Sequence, residues 1–156
     1  MKNSWFSFYN LVLALWVGGI AIFSFLVAPI IFKSYGLDTA GGIVGKLLLP
    51  YFWYNLILAV LALLVFFLVA GERAKPAYRL SLVLLTAALV INLFIVFRLY
   101  PEAIRAKQEV TSFESESPDS PARKRFAKLH GASAALNLVL LVDGIVLLIA
   151  GPSVKK

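Results

Sequence analysis

Four long runs of apolar residues, at about 5–32, 47–70, 78–97 and 129–150, decide what this chain can become. A helix needs about 20 apolar residues to cross a hydrocarbon core of roughly 30 Å, and each run is long enough. Inside lipid the backbone must satisfy its own N–H and C=O groups, so each run is expected as a helix. The strict alternation of a membrane β-barrel is absent. Composition agrees: 61% of the residues are hydrophobic and 15% charged, against about 45–50% and 25% in soluble domains. The reading is therefore an all-α integral membrane protein, an antiparallel bundle of four transmembrane helices in one domain, 1–156. Its helices are expected at about 5–32, 47–70, 78–100 and 126–150, with a polar loop at about 111–121.

The first run is too long for the h-region of a signal peptide, about 7–15 residues, and Pro29 follows the best small-residue exit at Ala28. It is read as a retained span. The net charge of +7 would suggest nucleic acid on a soluble chain. Here the charges sit at span ends, and no nucleic-acid partner is expected. Four spans put both termini on one side, with Lys2, Arg73, Lys75, Arg79, Lys155 and Lys156. Lys33, Lys46, Arg98, Arg105, Lys107, Arg123, Lys124, Arg125 and Lys128 lie on the other. The excess on that side leans toward a cytoplasmic long loop. The lean disappears if Arg98 and Lys46 are buried.

The linkers carry further expectations. Between the first two spans, Gly41, Gly42 and Gly45 read as a short interfacial helix packed through its glycines. The sequence around Gly45-Lys46 lacks the Gly and the Ser/Thr of a phosphate loop. Tyr51-Phe52-Trp53-Tyr54 reads as an aromatic anchor at the membrane interface. The short 71–76 link forces an antiparallel pair. Residues 101–110 continue the third helix, and 111–121 show no packing pattern.

Polar groups at membrane depth need a reason. Arg98, Glu102 and Arg105 share one helical face, and Arg98 and Glu102 are spaced to pair. Pro29 and Pro101 are expected to bend their helices. His130, Ser133, Asn137 and Gly144 form a stripe that must face other helices or a cavity, while Asp143 falls off it. Ala14 and Gly18 permit close helix approach, and Gly18, Gly19, Gly41, Gly45, Pro29 and Pro101 are read as packing positions. With one His, one Met and no Cys, no structural zinc or copper site can be assembled, and no cofactor is expected. No catalytic constellation is evident.

Four segments, taken in order, carry a resemblance. They are Leu15-Trp16-Val17-Gly18-Gly19 with Val27-Ala28-Pro29, then Ala40-Gly41-Gly42 through Pro50-Tyr51, then Arg98-Leu99-Tyr100-Pro101-Glu102, and last Arg125-Phe126 through His130-Gly131-Ala132-Ser133 with Asn137. This pattern resembles the transmembrane protein 205-like family, a membrane domain of unknown function of the type numbered 4149. The resemblance implies a four-helix membrane fold without an established activity. The family's motif positions map onto Trp16, Gly18, Pro29, Phe32, Gly41, Gly45, Pro50, Tyr51, Arg98, Pro101, Glu102, Arg125, Phe126, His130, Gly131, Ser133 and Asn137. Small membrane folds with haem or copper chemistry are more distantly similar, but they use several intramembrane histidines.

The functional expectation is a non-enzymatic, multi-pass protein of a bacterial inner (plasma) membrane. It binds or moves a small solute or lipid through a polar pocket of Arg98, Glu102, His130, Ser133 and Asn137. Membrane lipids, a small solute and further copies of the chain are the expected partners. A haem-type redox enzyme and a structural subunit are the alternatives. A colourless purified protein would speak against the former.

Overall fold

The structure is a computed structural model that describes residues 2–69 and 75–150. Its described elements are helical throughout: α1 (Lys2–Ile22), α2 (Ala28–Ser34), α3 (Leu37–Val69), α4 (Pro76–Phe94), α5 (Tyr100–Gln108) and α6 (Pro121–Ala150). A π-turn at Phe23–Val27 joins α1 to α2, and another at Ile95–Leu99 joins α4 to α5. Four continuous helices result, at Ser4–Ser34, Leu37–Val69, Pro76–Gln108 and Pro121–Ala150, each long and apolar enough to cross a membrane. The protein is a multi-pass four-helix membrane bundle.

The two π-turns have one cause. Proline lacks an N–H and its ring clashes with the carbonyl four residues back, so a helix must widen or break before it. Pro29 and Pro101 each follow a π-turn by one residue, and Ala28 and Tyr100 donate their N–H groups to the carbonyls of Phe23 and Ile95, five residues back. The expected bends are thus absorbed as π-turns, and both helices run on. Pro50 lies inside α3, which continues past it.

This last point changes the expected link between the first two spans. Residues 37–46 are helical, as expected, but they form the first turns of α3 rather than a separate short helix. The 71–76 link falls mostly outside the described residues. The third helix extends through Gln108. At 1.5 Å per residue these helices are about 45–50 Å long, well beyond the hydrocarbon thickness. The beginnings of α3 and α6 and the end of α5 therefore stand in the interfacial zone.

The four helices pack in cyclic order around one core. Toward the chain termini, α1 packs on α3 and α6, and α4 on the same two. Tyr9, Leu13, Trp16, Phe66, Leu85, Leu140 and Leu147 are fully buried there. At the loop end the pattern changes: α2 packs on α3, and α5 packs on α6. The bundle is closed at one end and divided into two helix pairs at the other. Apolar residues such as Leu11, Ile57, Val83 and Val142 point outward along its length, as a lipid-facing surface requires.

Candidate functional site

The gap between the two pairs is a cavity in two adjoining parts. The upper part, about 200 Å³, lies between the start of α3, α5 and the start of α6. The lower part, about 410 Å³, lies between α2, α3 and α6. Both are walled by Phe32, Val44, Leu48, Phe52, His130 and Ser133, so they adjoin along shared side chains. The lower part is partly open, and half-buried Pro29 and exposed Leu138 stand in its wall.

Helical periodicity explains which side chains reach this space. On α5 the inner residues are Tyr100, Ala103, Ile104 and Lys107, the i, i+3, i+4, i+7 set of one face. Arg98 and Glu102 sit on the opposite face. They pair at 2.9 Å (Nε to Oε1), and the Arg98 side chain is 72% exposed. The pairing expected from their spacing is present, but the two do not join His130. Of the five residues expected in one polar pocket, His130, Ser133 and Asn137 line the cavity and Arg98 and Glu102 do not. Level in the membrane was the wrong criterion. The helical face decides, and it separates the two groups.

The cavity floor is polar. The Tyr51 hydroxyl donates to Asn137 Oδ1 at 2.7 Å, and Asn137 Nδ2 donates to Ser24 Oγ at 2.9 Å. This chain ties α3, α6 and the first π-turn together just where the helix pairs begin to part. Phe23 stacks on the Tyr51 ring at 4.2 Å, and Asn55 Nδ2 donates to the Tyr51 carbonyl. Tyr51 and Phe52 are buried, while Trp53 and Tyr54 face outward. The aromatic cluster expected as a membrane anchor is therefore split, with half of it in the core. Ser24 gave no signal in sequence, since one serine among apolar residues is ordinary.

The roof is the 109–120 loop, and it is well tied. Asp38, in the first turn of α3, accepts from Ser112 Oγ and from the Phe113 N–H, both at 2.6 Å. These bonds hold Phe113 over the upper cavity, edge-on to Phe126, which stacks on the His130 ring at 5.6 Å. Arg123 donates to the Glu116 carbonyl at 2.6 Å and lies over the Phe113 ring. The Glu116 carboxyl is held below the usual carboxylate range, first by a hydrogen bond from Ser120 and then by the Thr111 N–H. A segment without a packing pattern in sequence is thus ordered by tertiary contacts.

The glycines divide by their neighbours. Lys107 Nζ donates to the Gly41 carbonyl, and a Cβ at Gly45 would stand 3.1 Å from that nitrogen. A Cβ at Gly19 would meet Tyr54 Cε1 at 2.5 Å, and the Tyr54 hydroxyl donates to the Leu15 carbonyl beside it. A Cβ at Gly144 would meet Val17 Cγ2 at 2.6 Å, so α6 packs closely on α1 there. At Gly18 a Cβ would meet nothing within 4 Å. The close approach expected at Gly18 is made instead by its neighbour Gly19, one position round the helix.

Asp143 lies deeper, with 7% of its surface exposed. Neither carboxyl oxygen has a hydrogen-bond partner among the described residues. No group of three His, Cys, Asp or Glu able to hold a metal occurs among them.

Residues 11–112 match the family described as "Domain of unknown function (DUF4149)". The match takes in the first three membrane helices and ends in the roof loop, before α6. No curated protein and no solved structure matches the chain significantly.

Proposed function

We infer that this chain, which belongs to the DUF4149 family of domains of unknown function, binds a membrane-resident apolar or amphipathic molecule in the cavity between its helix pairs. One observation carries the reading: an apolar cavity in two adjoining parts, one beneath the roof loop and one between α2, α3 and α6, the latter partly open. Water-soluble substrates need polar walls. Here the walls are aromatic and aliphatic, with polar groups only at the floor, at His130 and Ser133, and at Lys107. A mostly apolar pocket with a few placed polar groups is the usual form of a small-molecule site, and the lower part alone falls within the range of about 300–1,000 Å³. The floor hydrogen bonds keep the pairs joined below the opening, and Phe113 closes it above. The finer kinship with transmembrane protein 205-like proteins, and a place in a bacterial inner membrane, go with this proposal, supported by the order of the motifs from Trp16 to Asn137.

The test is occupancy. The full chain is purified in neutral phosphatidylcholine nanodiscs, and bound single-chain lipids are identified by native mass spectrometry. Ala134 lines the lower cavity and is exposed, so Ala134→Trp fills the opening without disturbing the core. Retained lipid in the parent and its loss in Ala134→Trp are expected. Equal lipid content in both overturns the reading.

A second reading, assembly with further copies, is favoured by the outward face of α1. Leu11 and Leu15 are exposed, and Gly18 beside them has open space. Light scattering in detergent distinguishes a monomer from a dimer, and a Gly18→Leu variant that leaves the mass unchanged removes this reading.

A further inference from the structure

We propose that the cavity takes a single-chain amphiphile with an anionic head, and that Lys107 holds the head. The inference rests on the binding reading above and names the class of ligand. Lys107 stands half-buried in the wall of the upper cavity. An ammonium has three N–H donors. Only one is used among the described residues, toward the Gly41 carbonyl. The ion pairs of the described residues lie elsewhere, at Arg98–Glu102, Lys124–Asp119 and Arg125–Glu109. The acid that acts on Lys107 through space is Asp38, and both its oxygens already accept from Ser112 and Phe113. Lys107 therefore brings to an otherwise apolar pocket a positive charge that no carboxylate touches directly, with Asp38 acting only through space and two of its donors open to an anion.

The surrounding backbone is shaped for that ammonium. Gly41 and Gly45 present bare main chain to it, since a Cβ at either position would stand within 3.8 Å of Nζ. Across the cavity, the His130 ring stacks on Phe126, and neither of its nitrogens has a hydrogen-bond partner among the described residues. Arg123 adds positive charge at the roof, although its guanidinium is engaged by Glu116 and Phe113. Lys107 and His130 thus leave donors free in the upper part. Below them the lining turns largely apolar, through Leu48 and Phe52 to Pro29 and Leu138.

Position along the membrane agrees. Lys107 is the next-to-last residue of α5 and meets α3 in its second turn, at the level of lipid headgroups. The lower cavity descends toward the bilayer centre. From Phe126 to Asn137 along α6 is about 16 Å, and the two parts hold about 200 and 410 Å³, space for one alkyl chain rather than the two of an ordinary phospholipid. The occupant drawn from the bilayer is therefore a fatty-acid anion or a single-chain phosphate ester, its anionic head at Lys107 and its tail along the apolar lower lining beside Pro29, Ala134 and Leu138.

Binding of palmitate, hexadecyl phosphate and hexadecanol to the full chain in phosphatidylcholine nanodiscs tests this directly. The parent should prefer both anions to the alcohol, and the ratio between the two anions identifies the head. Lys107→Gln keeps a donor for Gly41 but removes the charge. It should weaken anion binding by about tenfold or more, as loss of a charged hydrogen bond implies, and leave hexadecanol binding unchanged. Equal binding of anion and alcohol by the parent overturns the anionic-head inference while the cavity reading stands. The same follows if Lys107→Gln binds hexadecanol normally and keeps the parent's preference for anions. If none of the three binds the parent, and Ala134→Trp matches it, both inferences fall. The parent comparison decides the matter even if Lys107→Gln folds poorly.

Discussion

The Tyr51 hydroxyl donates to Asn137 Oδ1 at 2.7 Å across 86 positions of sequence. This bond sits where the closed half of the bundle meets the divided half, and Asn137 passes it on to Ser24. Hydrogen bonds between membrane helices contribute about 0.6 kcal/mol on average and up to about 1.7. A double-mutant cycle of Tyr51→Phe and Asn137→Ala should therefore give a coupling in that range, measured by unfolding in detergent. A coupling near zero would mean that the floor is held by packing alone, through the stacked rings of Phe23 and Tyr51.

Neighbouring glycines on one helix should respond in opposite ways. Gly19→Ala places a methyl group where Tyr54 now lies, and Gly144→Ala places one against Val17. Overpacking of this kind costs about 1–3 kcal/mol. Gly18→Ala meets open space and gains helix propensity, up to about 1 kcal/mol. Thermal unfolding should rank Gly18→Ala at or above the parent, with the other two below it. The reverse order at Gly18 and Gly19 would mean that α1 is rotated relative to its position here.

The roof should loosen when Asp38 is removed. Asp38→Ala deletes the acceptor for both Ser112 and the Phe113 N–H, and amide exchange across 109–120 should quicken while the membrane helices remain protected. Acid should act in the same direction through Glu116. Its carboxyl is held below the ordinary range by Ser120 first and Thr111 second. A group with a depressed folded-state value stabilises above its unfolded value, about 4.3 for glutamate. That contribution is lost as pH falls from there through the folded value. Protection of the roof amides, taken relative to their intrinsic exchange rates at each pH, should thus fall on acidification and return on neutralisation, and Glu116→Gln should remove part of that response.

The four spans were legible in the sequence because lipid imposes a length and a composition that few other structures need. The polar stripe on α6 was legible for a related reason, since the Asn137 amide cannot face lipid cheaply. Arg98 was misplaced for want of one further step. The same 100° per residue that groups Arg98 with Glu102 sets both opposite Tyr100, Ile104 and Lys107, and only the cavity shows which face is inner. Lys107 itself looked like one more interfacial charge. Asp38 and Ser112 are 74 positions apart, so the order of the roof had no local signature. Tyr51 was hidden in plain view among four consecutive aromatic residues, two of which do face outward.

Asp143 provides the last prediction. It is buried on α6 against the core of the closed half, and neither oxygen accepts a hydrogen bond among the described residues. Tyr9 is the group it acts on through space, and Trp16 Nε1 and the Tyr9 hydroxyl are likewise without partners. An unpaired carboxyl in such a place costs stability, since it has left water and gained no hydrogen-bond partner among the described residues. Asp143→Asn keeps the shape and removes the ionisable proton. If the carboxyl serves only as packing, this variant should melt at or above the parent temperature and keep full ligand binding. A fall in melting temperature, or loss of ligand binding with the fold intact, would mean that the proton on Asp143 is used. Intramembrane acids are retained mostly where a proton or ion is handled, so the sign of this single shift separates a tolerated relic from a second working site.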